Sequence, residues 1–522
     1  TILYTKMNSQ QMTGQMAQMK WMMYLMPIMF LGFFNNYAAG LSYYYFLANM
    51  ITFGQQVLMK RFLINEDAIF AELEANKKKP RKKSRFQKKI EELQSLASQN
   101  LFMHAQQIND WAGDLRIFVK GEGVWVTDVN GNKYLDSTGG LWFKGAGYGR
   151  SEIGQAIYEQ ICEIETPPAM AACIPQIELA AKIADIYADK SARSFFTSGG
   201  SESVETAVKM AKKYQMNTGK SGAYKVISRR YSYHGATAMA VSLGKPSTSD
   251  TMGPEMPGAI HVQNWDSYRI PKNMNSVDYA IHCANQFEEA IKHTGPESVA
   301  AMIAEPISVA FGIHIPPKEY WQRLREIADE YNVVLIADEV ITGFGRTGEM
   351  FGANTVGVTP DIATLAKGIA GGFPLAAVVV KSEIMDSIHE AGIGSTFGAS
   401  PISCAAALGV LEVFDKDNLM NHTKKQATMM NKSLNRLMNE STFIGDVRGY
   451  GTMLGVEIVE DQNAKVPGKE LALKIIDNCK NNGLLLVNCG LEGNVIRFMG
   501  PLTTPLDQVE EALNIFNKSF LK

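Results

Sequence analysis

YNVVLIADEVITGFGRTGEMFGANTVGVTPDIATLAKGIAGG, residues 331–372, is the stretch around which the chain is organised. A short apolar run, Val333 to Ala337, is bounded by polar residues and reads as a buried strand of a parallel sheet. It ends on two acids, Asp338 and Glu339, and a glycine-rich turn from Thr342 to Gly348 follows. Ligands of an open α/β sheet sit beyond the carboxyl ends of its strands. Further on, Lys367 stands among Leu365, Ala366, Gly368 and Ile369. An amine in such apolar surroundings has a depressed pKa and can attack a carbonyl carbon. Each feature alone has a plainer reading: a helix cap for the acid, a snorkelling side chain for the lysine.

Taken together, an acid at a strand end and a lysine in an apolar loop suit pyridoxal phosphate. The lysine would hold the aldehyde as an imine, and Asp338 would keep the pyridine nitrogen protonated. On these residues, and on the motifs below, the chain from about Leu101 to its end resembles the class III pyridoxal-phosphate-dependent aminotransferases, in particular the omega-transaminases. The resemblance implies an α/β architecture of fold type I, with a mainly parallel seven-stranded sheet in a large domain and a smaller α+β domain.

Working back from this stretch, Ala300 to Pro306 reads as a second buried strand ending in an acid, Glu305. Tyr233-His234-Gly235 follows a strand at Lys225 to Ser228, and an aromatic ring can stack on a pyridine face. In SFFTSGGSESVETAVKMAKK, residues 194–213, a strand ends at Thr197 and a helix starts near Glu202. Free N–H groups at such a start cradle phosphate. VWVTDVNGNKYL, residues 124–135, is a hairpin around Asn130-Gly131, and it leads into DSTGGLWFKGAGYG, a loop whose glycines admit close backbone approach. The resemblance gives roles to these positions. Gly199, Gly200 and Ser201 would hold the cofactor phosphate, Tyr233 would stack on the ring and Val340 would pack beneath it. Glu305 would order the site, and Trp142 would wall the substrate pocket. Ala310 stands where some members carry a glutamate that masks an arginine. Thr396, in Ser395-Thr396-Phe397, would reach the phosphate of a neighbouring subunit, which implies a homodimer with shared active sites. Arg448, in DVRGYGTMLGVEI, resembles the arginine that clamps a substrate carboxylate, a task suited to a planar guanidinium.

The N-terminal part differs in kind. Residues 1–98 carry 13 Lys/Arg against 6 Asp/Glu, a balance of +7 in a chain whose net charge is −2. From Trp21 to Met59 there is no charged residue, enough length for two apolar helices broken around Asn35, Asn36 and Gly40. Lysines precede this pair, and the run KKKPRKKSRFQKK, Lys77 to Lys89, follows it. The positive-inside rule then predicts a transmembrane hairpin in the bilayer through residues 21–59, with both ends and the catalytic part on the cytoplasmic side. MPIMFLGFFNNYAAGLSYYYFLANMITFGQQ resembles the last two transmembrane helices of the YidC membrane-protein insertase family, over about residues 1–90. Without that fragment the catalytic part is expected in the cytoplasm.

Five segments are expected: a hairpin to residue 60, a basic linker 61–98, an N-terminal segment of the small domain 99–150, the cofactor-binding domain 151–390 and the rest of the small domain 391–522. The balance of charge gives no pull toward nucleic acid. Six scattered cysteines without a Cys-x-x-Cys pair, and no metal-ligand spacing, argue against a zinc or disulfide framework. The expected function is transfer of an amino group from an amine or omega-amino acid to a 2-oxo acid such as pyruvate or 2-oxoglutarate. An aminomutase or racemase would use the same lysine and acid. From a different class, the chain could act as an insertase fragment carrying a passenger enzyme.

Overall fold

Why the predicted strand is apolar on both sides is plain in the computed structural model, which describes residues 39–59, 85–104, 115–187, 189–244, 253–389 and 392–520. Its strands, in chain order, begin with β1 (Phe118–Glu122), β2 (Trp125–Asp128) and β3 (Lys133–Asp136). Next come β4 (Arg193–Thr197), β5 (Lys225–Arg229), β6 (Ala259–Val262), β7 (Val299–Ala304), β8 (Val334–Asp338), β9 (Ile362–Leu365) and β10 (Ala376–Val380). The last are β11 (Ile444–Tyr450), β12 (Met453–Asp461), β13 (Val466–Pro467), β14 (Leu484–Leu485), β15 (Val487–Cys489) and β16 (Val495–Phe498).

β8 is the middle strand of a seven-stranded sheet with the order β4-β10-β9-β8-β7-β5-β6. β10 runs antiparallel to both its neighbours, and the pairings from β9 through to β6 are parallel. Helices cover both faces. Leu335 packs toward the helices Ser276–Thr294 and Lys318–Glu330, whereas Val334 and Ile336 pack toward the helix Gly200–Asn217. Such burial stabilises by about 1.5–3 kcal/mol per large apolar side chain, so a polar substitution on either face of β8 is costly. A sheet covered on both faces needs continuous apolar strands, the pattern read at Val333 to Ala337.

Two smaller sheets carry the remaining strands. One has the order β1-β2-β3-β14, so a strand from near residue 485 pairs in parallel with the early hairpin. The other has the order β11-β12-β16-β15, with β13 on β12. The hairpin turn at Asn130-Gly131 forms as predicted, with Gly131 at φ +87°. The helix Pro401–Lys416, near the start of the segment 391–522, shares a core with the helices Ser151–Glu163 and Ile174–Ile186.

The chain divides into two compact units, Thr1–Leu115 and Arg116–Lys522. In the first, the second half of the expected hairpin forms a 20-residue helix, Ala39–Leu58. Among the described residues, no helix is long and apolar enough to cross a membrane. The reason is composition: tyrosines, Asn49, Thr52, Gln55 and Gln56 dilute the apolar run. The first expected span, the turn at Asn35-Asn36 and most of the basic run lie outside the described residues. A second described helix of this unit is Arg85–Asn100.

Candidate active site

The carboxyl ends of the central strands converge on a cavity of about 330 Å³. Eight of the predicted positions line it: Gly199, Gly200, Ser201, Tyr233, Glu305, Asp338, Val340 and Lys367. They come from five separate segments, and the sheet order brings those segments to one edge.

Asp338 ends β8 and is 3% exposed. Its Oδ1 accepts from the Val340 N–H at 3.1 Å and from the Thr364 hydroxyl at 3.0 Å. Its Oδ2 lies 2.6 Å from Nδ1 of His234, a buried ring whose Nε2 has no partner among the described residues. Sequence reasoning gave His234 no role. The signal for it was its place after a predicted stacking tyrosine, too common a pairing to assign alone.

Lys367 follows β9 in a short 3₁₀ turn, with φ +48°, a region that side chains other than glycine rarely occupy. Burial lowers its pKa to about 8; Asp338 and Glu305 oppose that shift and Arg497 adds to it. Its Nζ stands 5.7 Å from the centre of the Trp142 ring.

Gly200 begins an 18-residue helix. The Ser198 N–H is taken by Glu202 at 2.8 Å, and the Ser201 hydroxyl accepts from the Ala236 N–H at 2.9 Å. A Cβ on Gly200 would meet Val340 at 3.0 Å, whereas one on Gly199 would meet nothing within 4 Å. Open space at Gly199 and a helix N-terminus aimed at one end of the cavity make an anion cradle. Glu305 pairs with the fully buried Arg229 at 2.7 Å and accepts from the Tyr233 N–H at 3.3 Å. Tyr233 itself is 43% exposed at the cavity mouth.

The remaining predicted positions lie elsewhere. Trp142 is half-buried behind its lining neighbours Leu141 and Phe143. Thr396 is exposed on the loop before the helix Pro401–Lys416, away from the cavity lining. Arg448 is also outside the lining, and its donors are occupied. Nε donates to the Gly312 carbonyl at 2.8 Å, Nη1 meets Asp446 at 3.0 Å and Nη2 meets Glu457 at 2.7 Å. The arginine that faces Trp142 is Arg497, which sequence reasoning missed. Arg448, Gly455 and Arg497 form one rung across β11, β12 and β16. Arg497 is buried, its Cζ is 4.3 Å from the Trp142 ring centre, and its Nε has no partner among the described residues. One of its nitrogens donates to the Asn488 carbonyl at 3.0 Å. The sequence signal was an arginine inside the apolar strand Val495–Phe498.

A depressed-pKa amine, a buried acid and an anion cradle in one cavity at the strand ends fit pyridoxal phosphate in charge and in chemistry. These features define an enzyme of the pyridoxal-phosphate class with a fold-type-I large domain. The chain belongs to the class-III aminotransferases, whose family model, "Aminotransferase class-III", matches residues 108–520. It is therefore a pyridoxal-phosphate-dependent aminotransferase. A second family model, "60Kd inner membrane protein", matches residues 1–66. A probable aminotransferase of Mycobacterium tuberculosis is 38% identical over 356 residues, which is 67% of this chain and 76% of that protein. The 5-aminovalerate aminotransferase of Pseudomonas aeruginosa is 36% identical over 77% of this chain and 92% of its own length. Among solved structures, an (S)-enantioselective omega-transaminase from Thermomicrobium roseum superposes with a TM-score of 0.78 at 34% identity, covering 82% of this chain and 98% of that one.

Proposed function

We propose that this cavity takes an amino group from an amine or omega-amino acid and passes it to a 2-oxo acid such as pyruvate or 2-oxoglutarate, with Lys367 as the central nucleophile and proton carrier. The observation that carries the reading is the lysine amine of lowered pKa sharing a cavity with buried Asp338. Bound there, pyridoxal phosphate supplies an aldehyde carbon and an electron-withdrawing ring. With a pKa of about 8, about a tenth of the amine is unprotonated at pH 7, against well under a thousandth for an ordinary lysine. Asp338, steadied by His234 and Thr364, would hold a proton on the ring nitrogen. The N–H groups and hydroxyl of Gly199, Gly200 and Ser201 would hold the phosphate. Tyr233 and Val340 would flank the ring, and Glu305, itself held by Arg229, fixes Tyr233 by accepting its N–H. Thr396, being exposed, is available to the phosphate of a second subunit in a homodimer.

On the substrate side, Trp142 forms the wall and Arg497, rather than the fully paired Arg448, binds a carboxylate. Ala310 offers no acid to mask that arginine, and the Pseudomonas relative is named for an omega-amino acid. Both favour omega-amino acids and amines as donors. The test is an absorbance scan of the purified protein with a panel of amines and then of 2-oxo acids. An amine should convert the bound cofactor to its amino form with release of a carbonyl product, and a 2-oxo acid should reverse it. Rearrangement or racemisation of the donor without a released carbonyl product would reject amino transfer.

We further infer that residues 21–59 associate with a lipid bilayer. Their support is the family match at residues 1–66 and the exposure of Tyr43, Phe46, Leu47, Met50 and Ile51 on the helix Ala39–Leu58. Flotation of the full chain with vesicles tests this, and recovery of the protein only in the dense fraction would refute it.

A further inference from the structure

Arg346 lies in the glycine-rich turn after Asp338, and the roles above leave it unused. It is 2% exposed. Burial lowers its pKa to about 10, which still leaves a cation at neutral pH. Yet its hydrogen bonds go to main-chain carbonyls. Nη1 donates to Met499 at 2.9 Å and also to Gly500, and Nη2 donates to Trp142 at 3.0 Å. Asp136 supports its charge from a distance, but a buried cation whose hydrogen bonds all go to carbonyls is costly to keep. What it gains here is geometry, since a rigid planar fork can hold two chain segments at a fixed spacing.

One of those segments is the loop that ends on Trp142, and the other follows Arg497 directly in sequence. The first borders the cavity through Leu141 and Phe143, and the proposed wall and carboxylate anchor stand on the two. Room for the fork comes from Gly139, at φ +60°, where a Cβ would lie 2.8 Å from the Met499 oxygen and 3.0 Å from Arg346 Nη2. The loop is tied from its other end by Asp136, whose carboxylate accepts the N–H groups of Thr138, Gly139 and Gly140 and the Tyr148 hydroxyl. Trp142 sits at φ +65°, a conformation that persists only when its surroundings impose it.

We propose that Arg346 is a positioning residue that sets the spacing between Trp142 and Arg497 and so tunes recognition of the substrate carboxylate. This rests on the reading of Arg497 as the carboxylate anchor. The test uses the full-length holoenzyme and two acceptors, pyruvate and propanal, which differ in the carboxylate. Arg346→Lys should raise the KM for pyruvate about tenfold, the loss of one well-aligned charged hydrogen bond. The kcat and the KM for propanal should stay within about threefold. Gly139→Ala, which crowds the fork from the other side, should give the same selective loss and serves if the lysine variant does not fold. Adding Arg346→Lys to Arg497→Met should cost nothing further for pyruvate, because the two act through one contact. Equal losses for both acceptors, or a lower melting temperature with unchanged KM values, would overturn the positioning role. An Arg497→Met enzyme with an unchanged pyruvate KM would overturn the anchor reading, and this inference with it.

Discussion

Lys367 faces two opposing demands. Its amine must be neutral to attack a carbonyl carbon, and its surroundings enforce that by burial while Asp338 pulls the other way. The consequence for stability has a definite sign. The folded pKa, about 8, lies below the model-peptide value of 10.5, so folding expels a proton between those limits. The penalty is fully present below pH 8 and is relieved as pH rises toward 10.5. In the cofactor-free protein, Lys367→Met should therefore raise stability at pH 7 by about 1–3 kcal/mol, with the gain shrinking above pH 8. Urea melts at pH 7 and pH 10 check it, and a gain that grew with pH would contradict the account. At Asp338, Asp338→Asn removes the charge that would hold a proton on the ring. Turnover should fall by at least about 10²-fold, while the bound cofactor remains detectable by its absorbance. Both residues were legible in the sequence, because an acid at a strand end and a lysine in an apolar loop are unusual in combination. Arg497 was not, because an arginine in an apolar strand gives no local sign of its aromatic neighbour, Trp142, which the fold sets 4.3 Å away. Arg448 was read as a carboxylate clamp from its place between turn glycines and an apolar strand. The fold instead gives it Glu457, Asp446 and the Gly312 carbonyl.

At the level of elements, the turn between β8 and β9 is held by Glu339. Its buried carboxylate accepts from the Thr342 hydroxyl, from the Gly352 N–H at 2.9 Å and from the Ala353 N–H at 2.6 Å. Glu339→Leu should cost several kcal/mol, since buried donors lose a charged acceptor at about 1–3 kcal/mol each. A melting temperature within a degree of the parent would refute that role. The helix Gly200–Asn217 meets β8 through Gly200 and Val340. Gly200→Ala places a methyl group 3.0 Å from Val340, so cofactor affinity should drop, and Val340→Ala, which removes the clash along with part of the ring's packing, should recover part of it. Equilibrium dialysis of the single and double variants checks this, and a double variant no tighter than the single would argue against a shared contact. Strand and helix positions in this part of the chain followed from apolar periodicity and glycine turns. The parallel pairing of β14 with β3 did not, because a contact between residues 349 positions apart, Leu484 and Leu135, leaves no local pattern in either segment.

For the whole molecule, the proposed homodimer would have two active sites, each completed by Thr396 of the other subunit. Thr396→Val should weaken cofactor binding, and co-expression with Lys367→Ala should produce mixed dimers. In such a dimer one site keeps both Lys367 and Thr396, so it should recover parental cofactor affinity. Dialysis of purified mixed dimers reads the outcome, and affinity no better than that of the Thr396→Val parent would argue for self-contained sites. The division of the chain was visible in composition, from the charge step and the uncharged run at Trp21–Met59. The limits of the catalytic unit were not as sharp. The join expected near Ser98–Leu101 precedes both the family match, which starts at residue 108, and the compact unit, which starts at Arg116. A polar stretch with few helix breakers carries little boundary information.

The most direct test of the central claim is chemical. Reducing the holoenzyme with borohydride and mapping its peptides should find the cofactor fixed to Lys367 and to no other lysine. A cofactor attached elsewhere, or full turnover by Lys367→Ala, would contradict the account.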